Sequence, residues 1–156
     1  MSKIKVAING FGRIGRVFTR AVMNHPSIEL VAINDLVDTS TLAHLLKYDS
    51  VHGKLSNEVS SDESSISIDG KPINVYSLKD PEKLPWGELD IDIVIESTGV
   101  FRSMEGAKKH VTAGAKKVII SAPATDSEVK TIVMGINDDL IDGSELVLSN
   151  ASCTTN

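Results

Sequence analysis

The chain has 156 residues, 41% of them hydrophobic and 24% charged, with a formal charge of -5 and a pI near 5.3. This length and composition suit one soluble domain, and an acidic balance with no basic run longer than two residues argues against a nucleic-acid partner. No apolar run approaches the roughly 18 residues of a membrane span and no signal peptide opens the chain, so a cytoplasmic protein with no membrane partner is expected.

In chain order, Val- and Ile-rich runs recur at "KIKVAIN", "IELVAIN", "IDIVIES", "KKVIIS", "TIVMGI" and "ELVLSN", and read as buried strands. Between the first two, "RIGRVFTRAVMNH" sets Ile14, Val17, Phe18, Ala21 and Val22 on one helical face, and Pro26 ends the helix. "TSTLAHLLKY" predicts a second helix with Thr39 or Ser40 as N-cap and Leu42, Leu45 and Leu46 facing the core. The serine-rich "SNEVSSDESS" reads as an exposed loop, and "SSISIDGKPINVYSL" alternates around Asp69-Gly70 as an antiparallel hairpin at one sheet edge. "SMEGAKKHVTAGA" predicts a third helix capped by Ser103 and ended at Gly114. Alternating strands and helices imply a mostly parallel sheet covered on both faces, because parallel strands need crossover connections.

The first strand runs into "NGFGRIGR", which sets Gly10, Gly12 and Gly15 in a G-x-G-x-x-G pattern between strand and helix. Gly10 suits the tight turn, Gly12 a close backbone approach to pyrophosphate, and Gly15 close helix–strand packing, while the helix N-terminus offers free N–H groups to phosphate. Asp35 follows Gly15 by twenty positions at the end of the second strand, where a carboxylate can accept from both hydroxyls of an adenosine ribose. A glycine-rich turn beside a solvated aspartate is the competing reading; strand, loop, helix, strand and acid in register favour the dinucleotide. A carboxylate there repels a 2′-phosphate, so NAD is expected over NADP. Ser97, Thr98 and Gly99 follow the strand "IDIVI", and Ser121 follows "KKVII". They either line the same crevice or serve as ordinary loop and cap residues.

Cys153 is the only cysteine, so it forms no internal disulfide and is either a buried small hydrophobe or a functional thiol. Ser152, Thr154 and Thr155 around it favour a helix N-terminus, whose dipole would stabilise a thiolate. A thiolate beside a hydride acceptor suggests aldehyde oxidation through a thiohemiacetal and a thioester.

"INGFGRIGR", "VAIND", "LLKYDSVHG", "STGVF", "AGAKKVIISAP" and "SNASCTTN" closely resemble the glyceraldehyde-3-phosphate dehydrogenase family, from the first strand to the last residue. The resemblance implies a Rossmann-type doubly wound α/β fold over residues 1–149, with residues 150–156 beginning a catalytic domain. It implies phosphorylating oxidation of glyceraldehyde 3-phosphate with NAD and inorganic phosphate in glycolysis, by a cytoplasmic homotetramer. The cofactor residues it implies are Asn9, Gly10, Phe11, Gly12, Arg13, Ile14, Gly15, Asn34, Asp35, Lys79, Ser97, Thr98, Gly99 and Ser121. Among these, Arg13 and Ile14 would hold pyrophosphate, Asp35 the ribose, and Thr98 and Ser121 the nicotinamide surroundings. Lys79 stands where the family often has arginine, near the adenine, which keeps a basic group but not a planar one.

Cys153 is the implied nucleophile, with Ser152 and Thr154 contacting substrate or attacking phosphate; no metal is implied. The implied histidine base lies beyond the cysteine. His25, His44, His52 and His110 match no such position and read as surface or structural residues. The chain alone is therefore expected to bind NAD more weakly than a complete enzyme and to show little dehydrogenase activity. Erythrose-4-phosphate dehydrogenase and a non-catalytic NAD-binding module are the alternatives.

Overall fold

The computed structural model describes residues 2–156. Among them, β1 (Ile4–Asn9), α1 (Arg13–Val22), β2 (Ile28–Asn34) and α2 (Thr39–Lys47) open the chain. The short β3 (Tyr48–Asp49) and β4 (Gly53–Lys54) pair with each other, and β5 (Val59–Ser61), β6 (Ser65–Ile68) and β7 (Lys71–Tyr76) form an edge meander. There follow β8 (Ile93–Glu96), α3 (Met104–Thr112), β9 (Lys117–Ile120), β10 (Lys130–Thr131) and β11 (Val147–Ser149). The main sheet runs β10-β11-β9-β8-β1-β2-β7-β6-β5. Every pair from β10 to β7 is parallel, while the pairs of β7 with β6 and of β6 with β5 are antiparallel. The expected parallel sheet and edge hairpin are both there, the latter turning at Asp69 (φ 49°) and Gly70 (φ 76°).

The central parallel strands β1, β2, β8, β9 and β11 are mostly apolar because both of their faces are covered, whereas β5 and β6 at the edge are serine-rich. Side chains alternate across β1, so Val6 and Ile8 join Phe11, Ile33, Leu42, Leu46 and Ile66 in one core. Ala7 points the other way and joins Ala32, Trp86, Val94, Ala107, Val118 and Val147 in a second. The chain leaves β1 toward β2 and later returns to β8 on the opposite side of β1. The crevice at the carboxyl ends of β1 and β8 is thus the topological switch point, where such sheets bind ligands.

Four local expectations need correction. The face of α1 that meets the sheet is Gly15, Thr19 and Val22, with Ile14 48% exposed and Ala21 outside. Small residues lie there because the helix presses close to the sheet, and the Thr19 hydroxyl is satisfied by donating to the Gly15 carbonyl at 2.9 Å. Neither Thr39 nor Ser40 caps α2. Asp38 does, accepting from the Thr41 N–H at 2.9 Å, and Ala43 rather than Leu45 is buried beside Leu42 and Leu46. The "SNEVSSDESS" stretch contains β5, which pairs with β6. Of "TIVMGI" only Thr131 belongs to a strand, as the last residue of β10; Ile132 is buried beyond it, but Met134 and Ile136 turn out to solvent. α3, by contrast, starts at Ser103, whose hydroxyl accepts from the Gly106 N–H at 3.0 Å, and is followed by Gly114 at φ 108°.

Candidate dinucleotide site

The switch-point crevice is a cleft of about 420 Å³ lined by Asn9, Gly10, Gly12, Asn34, Asp35, Leu36, Leu78, Lys79, Ser97, Thr98, Val100 and Phe101. Its glycines do separate work. A Cβ on Gly10 (φ 93°) would lie 2.7 Å from the Thr98 backbone nitrogen, and one on Gly15 would lie 2.5 Å from the Gly10 carbonyl oxygen. β1, the loop after β8 and the start of α1 are therefore packed against each other with no room for a side chain. Gly12 has nothing within 4 Å of its would-be Cβ, so its backbone faces open space. Gly12 is also the N-cap of α1 with no side chain capping the helix, which leaves the first N–H groups for a ligand. These features fit a pyrophosphate.

Asp35 is held at the other wall. Its carboxylate accepts from the Phe11 N–H at 2.7 Å and the Val37 N–H at 3.0 Å, which ties the glycine loop to the end of β2. Ser97 donates its hydroxyl to the Gly10 carbonyl at 2.6 Å, and Ser121 donates to the Glu96 carbonyl at 3.3 Å. Lys79 lines the cleft. Arg13 does not: its guanidinium forks onto Asp49 at 3.0 and 3.4 Å, and Ile14 is on the exposed side of the first helical turn. The N–H groups of His52 and Val51, with Arg13, hold the Asp49 carboxyl well below the usual carboxylate range.

Beyond β9, the Ser149 hydroxyl donates to the Ala122 carbonyl at 2.6 Å and the Asn150 N–H to the Ile120 carbonyl at 2.9 Å. The cysteine segment is thus tied to the loop that carries Ser121. Cys153 is exposed, and Ser152 Oγ lies 3.0 Å from Thr154 Oγ1 and 2.7 Å from Thr155 Oγ1. Residues 153–155 make a turn in which Ser152 sits as an N-cap would: its hydroxyl accepts from the Thr155 N–H at 3.0 Å, and its carbonyl from the N–H groups of Thr155 and Asn156 at 3.1 and 3.2 Å. From Asp35 through the glycine loop, Thr98 and Ser121 to Cys153, the candidate residues follow β2, β1, β8, β9 and β11 in spatial order. Four strand spacings make that row about 19 Å long.

Sequence reasoning missed Glu96 at the floor of the cleft. It is joined by hydrogen bonds to the buried polar residues Asn9 and His110, and through Asn9 to Asn34, with Trp86 Nε1 donating to His110 Nδ1 at 2.9 Å. The available signal was the glutamate closing the otherwise apolar "IVIE". His110 is indeed structural, and His25, His44 and His52 are exposed. Leu36, Leu78, Val100 and Phe101 were also unforeseen, since their part depends on loop geometry. Among the described residues no helix is long and apolar enough to cross a membrane, and no group of His, Cys, Asp and Glu could hold a metal ion.

The family model described as "Glyceraldehyde 3-phosphate dehydrogenase, NAD binding domain" matches residues 4–104. Among curated relatives, a glyceraldehyde-3-phosphate dehydrogenase of Geobacillus stearothermophilus is 59% identical over 98% of this chain, and "Glyceraldehyde-3-phosphate dehydrogenase 1" of Bacillus subtilis is 57% identical over 98%. "Glyceraldehyde-3-phosphate dehydrogenase 1" of Trichormus variabilis is 56% identical over the whole chain. The chain covers 46% of the length of each of these relatives.

Proposed function

The chain belongs to the glyceraldehyde-3-phosphate dehydrogenase family, through its NAD-binding domain, and from that premise we propose that it is the NAD-binding half of a phosphorylating glyceraldehyde-3-phosphate dehydrogenase of glycolysis. The observation that carries this reading is the row of residues across the carboxyl ends of the strands, from Asp35 to Cys153. Asp35 takes the adenosine ribose hydroxyls, the open N-terminus of α1 takes the pyrophosphate, and Thr98 and Ser121 border the second nucleotide half. NAD, when bound, supplies the hydride acceptor.

Cys153 adds as thiolate to the aldehyde carbon of glyceraldehyde 3-phosphate, making a thiohemiacetal. Loss of hydride from that carbon, with loss of the hydroxyl proton to a base, leaves a thioester. Inorganic phosphate then attacks the thioester carbonyl, releasing 1,3-bisphosphoglycerate and the thiolate. The hydroxyls of Ser152 and Thr154, on either side of the nucleophile, contact substrate or attacking phosphate. The base is not among these residues: His110 is held by Trp86 and Glu96, and no histidine lines the cleft.

The domain reading is unchanged from the sequence, with residues 1–149 holding cofactor and residues 150–156 opening the catalytic domain. The whole protein is read as a cytoplasmic homotetramer, which sedimentation of the native species would test. The decisive experiment is steady-state kinetics of the native protein with glyceraldehyde 3-phosphate, NAD and phosphate. Cys153→Ser should lower kcat by at least about a thousandfold and leave NAD affinity within about threefold; turnover that survives the change would sink the assignment of the nucleophile. A polypeptide of these 156 residues made alone should bind NAD and show negligible turnover.

A further inference from the structure

Glu96 is 1% exposed and His110 0%, and neither takes part in the chemistry assigned to Cys153. The direction of the hydrogen bonds around them is fixed from outside. The Trp86 indole N–H can only donate, so His110 Nδ1, which it meets at 2.9 Å, is the bare nitrogen of the ring. The ring proton therefore sits on Nε2, which donates to Glu96 Oε2 at 2.7 Å. From the other side, the Leu78 backbone N–H donates to Asn34 Oδ1 at 2.9 Å. Asn34 Nδ2 must then donate to Asn9 Oδ1, at 2.8 Å, and Asn9 Nδ2 to Glu96 Oε2, at 2.7 Å. The two donors to that oxygen lie 3.4 Å from each other.

Thr98 gives its backbone N–H and its hydroxyl to Glu96 Oε1, at 2.9 and 2.5 Å, while the hydroxyl accepts from the Val100 N–H at 3.1 Å. Four donors thus converge on one buried carboxyl, and every one of them points inward. Glu96 is a carboxylate beside a neutral imidazole: a buried negative charge satisfied by hydrogen bonds, with no lysine or arginine among its described partners.

Two of those donor residues, Asn9 and Thr98, line the cleft. With an adenosine ribose on Asp35 at the end of β2, a dinucleotide straddles β1 and sets its second half over the end of β8, above Glu96. We propose that Glu96 is a positioning residue that favours the oxidised dinucleotide over the reduced one, its buried charge attracting the positive pyridinium ring that the reduced form lacks. The inference rests on the NAD-binding reading above. A single charge about 10 Å from the ring, across protein of effective dielectric constant about 20, corresponds to about a tenfold difference in affinity.

The test is the dissociation constants of NAD and NADH, measured by calorimetry on the native protein without substrate. Glu96→Gln should cut the preference for NAD over NADH about tenfold. Glu96→Asp keeps the charge but draws it back from its donors, so both affinities should fall while their ratio stays within about threefold. A role in structure alone would move both constants together in both variants, and that result overturns the proposal. If the wild-type protein binds neither form, the NAD-binding reading itself fails and this inference with it. Should Glu96→Gln not fold, nitrogen-15 NMR of wild-type His110 still decides. A bare Nδ1 with a protonated Nε2 supports the buried charge, and a doubly protonated ring, which would cancel it, refutes it.

Discussion

Asp35 has two roles at the cleft wall, since the carboxylate proposed to take the ribose hydroxyls also accepts the Phe11 N–H at 2.7 Å and so anchors the glycine loop. Asp35→Asn keeps an acceptor oxygen for that N–H but loses the charge and one acceptor. NAD affinity should fall about tenfold, and the ratio of NADP to NAD affinity should rise, because a 2′-phosphate no longer meets a carboxylate. Titrating both dinucleotides into the variant checks this; an unchanged ratio would mean that Asp35 acts on the loop alone. Asp35 was legible in the sequence because its distance from the glycines and its place at a strand end are both linear features. Glu96 was not, because what makes it unusual is who surrounds it: Asn9 is 87 positions away in the chain, and His110 comes from a helix on the next crossover. Spacing along a sequence cannot announce a carboxylate assembled from four separate segments.

At the scale of elements, the helix starts carry a titration that can be read directly. Asp38 caps α2, and its pKa is lowered from 3.8 to about 2, first by the Ser40 hydroxyl and then by the backbone N–H and hydroxyl of Thr41. A carboxyl whose folded pKa is depressed contributes stability that is present above its unfolded value, about 3.9, and lost as pH falls through about 2. Asp38→Ala should therefore lower the thermal midpoint at pH 7, and the gap to wild type should close between about pH 4 and pH 2. Asp38→Asn still caps but does not titrate, so its midpoint should hold at pH 7 and lack this component of the acid loss. A gap that persists at pH 2 in the alanine variant would show that the cap acts without its charge. The same helix shows why element boundaries were read less well than elements: Asp38, Thr39 and Ser40 are all good capping types, and only the backbone angles of Asp38 decide among them. The sheet-facing side of α1 was misread for a related reason. Counting apolar residues favoured Ile14 and Ala21, whereas close approach to the sheet demanded Gly15 and Thr19.

For the whole molecule, alternation of strand and helix was enough to imply a parallel sheet, but the strand order that creates the switch point depends on which edge each crossover returns to. That order separates two cores with different duties. One, containing Ile66 and Leu46, packs α2 and the edge meander; the other, containing Trp86 and Ala107, packs α3 and supports the cleft floor through the Trp86–His110 hydrogen bond. The division predicts that stability and binding can be uncoupled. Ile66→Ala removes a fully buried side chain far along the sheet from Thr98 and should cost about 2–5 kcal/mol in a urea titration, with NAD affinity within about twofold of wild type. Trp86→Phe keeps most of the apolar volume and should cost less, about 1–3 kcal/mol, yet it takes the donor from His110 Nδ1. The imidazole is then free to turn or change tautomer, Glu96 loses a fixed partner, and NAD affinity should drop by about three- to tenfold although the milder lesion is the one to the fold. Equal effects of the two variants on binding would mean that the cleft feels only global stability. The opposite order would mean that the edge core, rather than the buried polar chain under β1 and β8, holds the site in shape.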